Sequence, residues 1–302
     1  MKRLKTCVIG SYPVSVNTGE IVGSYFQMQE ASWQHYIDSA VNDMISAGID
    51  IVSDGQTRDP FIQLFSRRLG GCRVRARTEI IGPVVYKNPI TIPDIKHVRK
   101  ILPKNKELVG VLTGPFTLAK SCVDLFYHDE QKFAFAFADA LQQEANELQH
   151  HVDLLSIDEP FFSTNMPEYG KELIRKITKN VSSCPTRLHV CGDVSRVVPT
   201  LLEMPVDILA HEFKASPHLF DVFREHSSFS QRICLGAVRS DDDKVESVEN
   251  IVTHIQRGRE VFGEKLLLLS PDCGLRLLPR DIAYQKLKNL VLAGEQINDQ
   301  YK

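Results

Sequence analysis

The sequence predicts an α/β fold: a single (β/α)8 TIM barrel with a β-hairpin insertion after the second strand. Three observations lead there. Short apolar runs rich in β-branched residues or leucine recur eight times, and each is followed by a polar turn and then a helix-like pattern. The 302 residues also suffice for the roughly 250 of such a barrel plus insertions. An open doubly wound sheet is the alternative, but no GxGxxG follows the first run.

In chain order the runs are 6–9, 49–53, 108–112, 152–157, 187–190, 206–210, 233–236 and 265–269. Amphipathic stretches at 32–47, 131–150, 171–181, 245–262 and 280–293 supply intervening helices. The insertion covers 61–94, and its part from 73 to 86 reads as a β-hairpin or arm. The whole chain, 1–302, is expected to be one barrel unit.

Composition excludes several functions. A net charge of −2 points to neither nucleic acid nor a membrane surface. No apolar stretch approaches the roughly 18 to 20 residues of a spanning helix. Met1-Lys2-Arg3 leads into a strand-like run without a signal-peptide core, and seven cysteines suit reduced thiols better than a disulfide framework. A cytoplasmic location is therefore expected.

In such a barrel, function collects where strands end and βα loops begin. Those ends carry Ser11, Asp54-Gly55-Gln56, Thr113-Gly114-Pro115, Asp158-Glu159, His189 and Cys191, Glu212, Asp241 and Cys273. His189 and Cys191 are two apart, so on a strand they share a face and can begin a metal site completed from elsewhere. Glu212 and Cys273 are candidates to complete it; adjacent His211 rivals Glu212, because strand alternation turns only one of the two inward. One neutral histidine, two thiolates and one carboxylate leave Zn²⁺ electron-rich. Such a site acidifies water poorly but suits alkylation of a bound thiol. A closed zinc staple is the bland reading, disfavoured because the donors lie on separate strand ends rather than in a CxxC knuckle. The remaining cysteines (Cys7, Cys72, Cys122, Cys184 and Cys234) read as core residues.

Taken in order, Ile9-Gly10-Ser11, Asp54-Gly55-Gln56, Leu112-Thr113-Gly114-Pro115, Ile157-Asp158-Glu159-Pro160, His189-Val190-Cys191, Glu212 and Pro271-Asp272-Cys273-Gly274-Leu275 form a specific set. By this set the chain resembles the catalytic C-terminal barrel of the cobalamin-independent methionine synthase family. The resemblance implies His189, Cys191, Glu212 and Cys273 as zinc ligands. It also implies that Ile9, Gly10, Ser11, Gln56 and Asp158 hold the amino-acid portion of homocysteine, with the Asp158 carboxylate facing the α-ammonium.

Four positions depart from the family. Gln56 stands for a glutamate, Ser121 for the tryptophan that packs on the pterin, Thr164 for another glutamate, and Asp241 falls near the proton-donating histidine. These departures lie mostly on the donor side. The expectation is therefore a methyl donor other than folate, namely methylcobalamin, carried by a corrinoid protein, because a cobalt(I) leaving group needs no proton. Asp241 remains a catalytic candidate. Folate-dependent synthesis, methyl transfer to coenzyme M, a barrel decarboxylase and a non-catalytic zinc scaffold are the rivals. The basic run 67–77 could receive an acidic corrinoid protein or the cobalamin phosphate, with Arg73, Arg75 and Arg77 on one strand face; a solvated edge is the plainer reading.

Overall fold

The computed structural model describes residues 2–15, 33–58, 61–226 and 228–300. Each of the eight predicted runs contributes a strand to one parallel sheet. These are β1 (Lys5–Thr6), β2 (Ile51–Val52), β5 (Glu107–Thr113), β7 (Leu154–Asp158), β8 (Thr186–His189), β9 (Ile208–His211), β10 (Arg232–Val238) and β11 (Leu266–Pro271). Their order is β1-β11-β10-β9-β8-β7-β5-β2. A parallel bridge between Cys7 and Ile51 joins the two outer strands and closes the ring. The Val8 N–H donates to the Ile51 carbonyl at 3.3 Å, and the Asp50 N–H to the Thr6 carbonyl at 3.2 Å. Closure leaves the barrel no free edge.

The helices bury one stripe each. Along Glu130–Leu148, Phe133, Phe137, Leu141, Ala145 and Leu148 recur at helical spacing and are buried. Asp129 caps this helix by accepting the Lys132 N–H, and Ser247 caps Val248–Phe262 by accepting the Asn250 N–H. The first amphipathic stretch forms Gln34–Ala47 and stops at Gly48, whose φ of 98° permits the left-handed turn. Ser32, where that stretch was expected to begin, lies outside the described residues.

The insertion does form a hairpin, but it starts earlier than expected. β3 (Leu69–Val74) pairs antiparallel with β4 (Thr78–Tyr86), and β6 (Val123–Asp124) adds a parallel third strand. Only Arg73 of the basic run sits in the paired strand, where it forms an ion pair with Glu79. Arg75 and Arg77 lie in the turn, so the three do not share one strand face. The strand reverses earlier than the alternating pattern suggested.

Glu144 ties the insertion to the barrel. Its buried carboxylate accepts from the Tyr86 hydroxyl, from the Ile90, Thr91 and Ile92 N–H groups, and from the Thr91 hydroxyl. Among the described residues no helix is long and apolar enough to cross a membrane.

Candidate active site

Three soft donors converge at the C-terminal end of the barrel. His189 closes β8, Cys191 follows two residues later, and Cys273 comes two residues after β11. His189 Nε2 lies 3.0 Å from Cys191 Sγ and 3.5 Å from Cys273 Sγ, and the two sulfurs are 2.8 Å apart. Nδ1 of His189 is 3.1 Å from the Ala210 carbonyl. A proton on Nδ1 donates there and leaves the Nε2 lone pair facing the thiols, as a metal-binding imidazole requires. The Cys191 hydrogen bond, helped by His189, outweighs burial and draws the Cys273 thiol well below its ordinary range, while Cys191 is pushed up. Two partly buried thiols, one of them pulled down by its neighbours, are the kind of donors that a soft divalent cation would stabilise.

The strand after β8 decides between the two rivals. His211 is 1 % exposed, packs against Phe213 and Phe223, and is lowered to about 3 by burial and by the charge of His189. Its neighbour Glu212 is only partly buried and accepts the Gly192 N–H, and its charge is felt by Cys191. Gly192 has φ of +79°, a conformation that a side chain would strain. The structure thus buries the second imidazole away from the thiols, and it gathers His189, Cys191 and Cys273 within 4.8 Å of one another without bringing the Glu212 carboxylate into that group.

A cavity of about 340 Å³ adjoins the cluster, lined by Ile9, Ser11, Gln56, Thr113, Asp158, Pro160, Cys191, Cys273, Gly274, Arg276 and Leu277. Positions far apart in sequence meet there. Gly10 is needed at φ +51° because an added Cβ would come within 2.7 Å of Gln56 Oε1. Gln56 itself adopts a positive φ of 46°, and its N–H donates to Asp54. The Leu275 N–H donates to the Ser11 carbonyl at 2.8 Å, which ties the first strand end to the loop after Cys273. Asp158 is partly buried, and its desolvation raises its pKa against the pull of His189 and Arg187; it accepts from the Ser156 hydroxyl at 3.0 Å.

Two carboxylates beside the site hold its backbone. Glu159 accepts from the Phe116 and Thr117 N–H groups and the Thr117 hydroxyl, and burial pushes it up to about 7. Asp272 accepts from the Lys214 and Ala215 N–H groups at 3.0 and 2.8 Å, fastening the segment after Glu212 to the one bearing Cys273. Sequence reading named Glu159 and Asp272 only as parts of motifs. Their signal was an acidic residue at a strand end beside a loop rich in free N–H groups.

Asp241 is placed differently from the others. It is outside the residues lining the cavity, and both its oxygens accept from Arg239 at 2.8 Å. That pairing holds its carboxyl below the usual range, so it is ionised at neutral pH. Ser121 ends the helix Pro115–Ser121, and Thr164 is exposed after the turn Pro160–Ser163.

Residues 4–296 match the family model described as the catalytic domain of cobalamin-independent synthase. The methionine synthase of Methanothermobacter marburgensis is 36% identical, over 96% of this chain and 99% of its own length. That of Methanocaldococcus jannaschii is 35% identical, over 97% and 99%. Among solved structures, a B12-independent methionine synthase from Shewanella sp. W3-18-1 in complex with selenomethionine superposes with a TM-score of 0.83. It covers 99% of both chains at 23% identity, which shows the common fold. With the family model spanning nearly its full length, the chain belongs to the cobalamin-independent synthase family, as its catalytic domain, and is a methyltransferase.

Proposed function

We propose that this methyltransferase methylates homocysteine to methionine at a zinc site formed by His189, Cys191, Glu212 and Cys273. One observation carries the reading: Cys191 and Cys273 line the same cavity as Ser11, Gln56 and Asp158. A thiol donor set and a set of amino-acid contacts thereby serve one small space.

The donor set fits zinc. Two thiols and an imidazole with their donor atoms within 4.8 Å are ligand types that soft tetrahedral sites use, and the Glu212 carboxylate is close enough for its charge to be felt by Cys191. Zinc, when bound, would supply the Lewis acidity that keeps the homocysteine sulfur ionised at neutral pH. The protein's own residues would do the rest. Asp158 pairs with the α-ammonium, while Ser11 and the turn at Gly10 hold the carboxylate end. The amide of Gln56 offers a neutral contact beside them. Held by these groups, the sulfur presents its lone pair to the methyl carbon; the S–C bond forms as the bond to the donor breaks in line, with the electron pair leaving on the donor.

Support for a methylcorrinoid donor comes from Asp241: an ionised carboxylate paired with Arg239 cannot protonate a folate amine as it leaves. Against it stands the family's description as cobalamin-independent, which gives neither methylcobalamin nor a corrinoid carrier protein any support. The free cysteines fit a reducing, cytoplasmic compartment.

The test is methyl transfer to homocysteine by zinc-loaded and chelated protein, with methylcobalamin and methyltetrahydrofolate triglutamate offered in parallel. Zinc-dependent methionine formation from either donor supports the reaction, and the productive donor decides the finer reading. Equal turnover by the chelated protein would overturn the zinc site.

A further inference from the structure

Below the amino-acid contacts lies a charged side chain that the reaction does not touch. Arg187, on β8 two residues before His189, is fully buried inside the barrel. A buried guanidinium is costly unless its donors are satisfied, and each of its nitrogens has a partner. Nε donates to Ser156 Oγ at 3.0 Å, one terminal nitrogen to Cys7 Sγ at 3.3 Å, and the other to the Val8 carbonyl at 3.2 Å.

Two of those partners lead to the substrate contacts. The Ser156 hydroxyl, having accepted from Arg187, donates to Asp158 Oδ1 at 3.0 Å. The Val8 carbonyl immediately precedes Ile9-Gly10-Ser11. Strand register enforces the arrangement, since Ser156 stands opposite Arg187 and Asp158 opposite His189. Alternation then points Ser156, Asp158, Arg187 and His189 to the same side of the sheet. One guanidinium thereby fixes the Asp158 carboxylate and the first strand end together.

We propose that Arg187 is a positioning residue for the substrate's α-ammonium, acting through the Ser156 hydroxyl to orient the Asp158 carboxylate. The proposal rests on homocysteine being the substrate. Because the Ser156 hydroxyl donates to Oδ1, Oδ2 is left as the oxygen it does not hold, and that oxygen lies beside the Gly10 turn, 3.6 Å from where a Cβ on Gly10 would stand. The relay therefore discriminates between thiols that carry an α-ammonium and thiols that do not.

The experiment compares binding of homocysteine and of 4-mercaptobutyrate, which lacks the amino group, to zinc-loaded wild type, Ser156→Ala, Ser156→Thr and Arg187→Lys by calorimetry. The expected result is a rise of about tenfold in the homocysteine Kd of Ser156→Ala, with 4-mercaptobutyrate unchanged within about twofold. Ser156→Thr, which keeps the hydroxyl, should retain the preference, and Arg187→Lys should lose it. Zinc content and thermal unfolding identify any variant that fails to fold, and Ser156→Ala, which removes one atom, remains decisive if Arg187→Lys does. Equal weakening of both thiols in Ser156→Ala, or no change in either, would overturn the relay. Failure of the wild type to prefer homocysteine over 4-mercaptobutyrate would instead overturn the substrate reading beneath it.

Discussion

Two pairs of cysteines face each other inside this barrel, and only one belongs to the candidate active site. Cys191 and Cys273 approach to 2.8 Å beside His189 and line the cavity. Cys7 and Cys234 approach to 3.5 Å beside Arg187 and are wholly buried. The partner makes the difference. An imidazole brings a lone pair, so the first pair can gather around a soft cation. A guanidinium has five N–H donors and no lone pair, so the second pair already faces a cation supplied by the protein. Burial opposes ionisation of Cys234, but the Cys7 hydrogen bond and the Arg187 charge overcome it and draw the thiol down to about 6. Thiol proximity alone therefore predicts nothing; the third group decides between a metal site and a structural ion cluster.

Breaking the comparison at the mouth should have the largest effect. Cys191→Ala or Cys273→Ala is expected to lose zinc and reduce methyl transfer to background. Cys7→Ala and Cys234→Ala should keep one zinc per chain. Metal analysis of the purified variants, with the transfer assay alongside, checks both halves. Zinc retained by Cys273→Ala would remove that residue from the ligand set.

Breaking it inside should act on stability instead. Arg187→Met removes the buried cation but leaves thiols that can take up a proton, so the cost belongs at the low end of that for a broken buried pair, about 3 kcal/mol. Urea unfolding of the zinc-loaded protein measures it. A change under about 1 kcal/mol would mean that the guanidinium contributes nothing net to the fold.

The two pairs were not equally legible. All eight barrel strands could be read from the sequence because each is a continuous apolar run closed by a turn, the pattern of strands buried on both faces. His189 and Cys191 announced themselves as ligand types two apart, and the structure brings Cys273 to them. Arg187 carried the same signal, being two residues before His189 within an apolar run, yet an arginine in a strand is usually a solvated edge. Cys7 and Cys234 lie on strands that are not neighbours in the sheet. Their meeting depends on both strands pairing with β11, which lies between them, long-range events with no local trace. The short β6 was missed for a similar reason, since two residues pairing with β4 carry no periodicity.

The two histidines differ in the same way: His189 faces the thiols, whereas His211 on the next strand is buried among phenylalanines. His211 is lowered from 6.5 to about 3, chiefly by burial, so the unfolded chain takes up a proton near 6.5 that the folded chain refuses until about 3. Stability associated with this group is fully present above pH 6.5 and is lost as pH falls toward 3, at most ~1.4 kcal/mol per pH unit. His211→Phe should flatten that part of the stability profile while leaving zinc stoichiometry at pH 7 unchanged. An identical slope in the variant would show that His211 is not the group responsible, and loss of zinc would place it in the ligand set after all.

The smallest effect is expected at the hairpin turn, where charge is plentiful but geometry is not. Arg73 is already committed to Glu79, and Arg75 and Arg77 are exposed in the turn between β3 and β4. They share no cavity with the cysteines, and exposed charges separated from a site by solvent are largely screened at physiological salt. The double variant Arg75→Ser, Arg77→Ser should therefore change folding stability by less than about 0.5 kcal/mol. Zinc content and KM for homocysteine should stay at wild-type values. The donor is the informative substrate: if this turn received an anionic donor or an acidic carrier, the variant would raise the donor's KM and flatten its dependence on ionic strength. An unchanged donor KM across salt concentrations would leave the turn as a solvated edge, with substrate recognition confined to the barrel mouth where the thiols and Asp158 already meet.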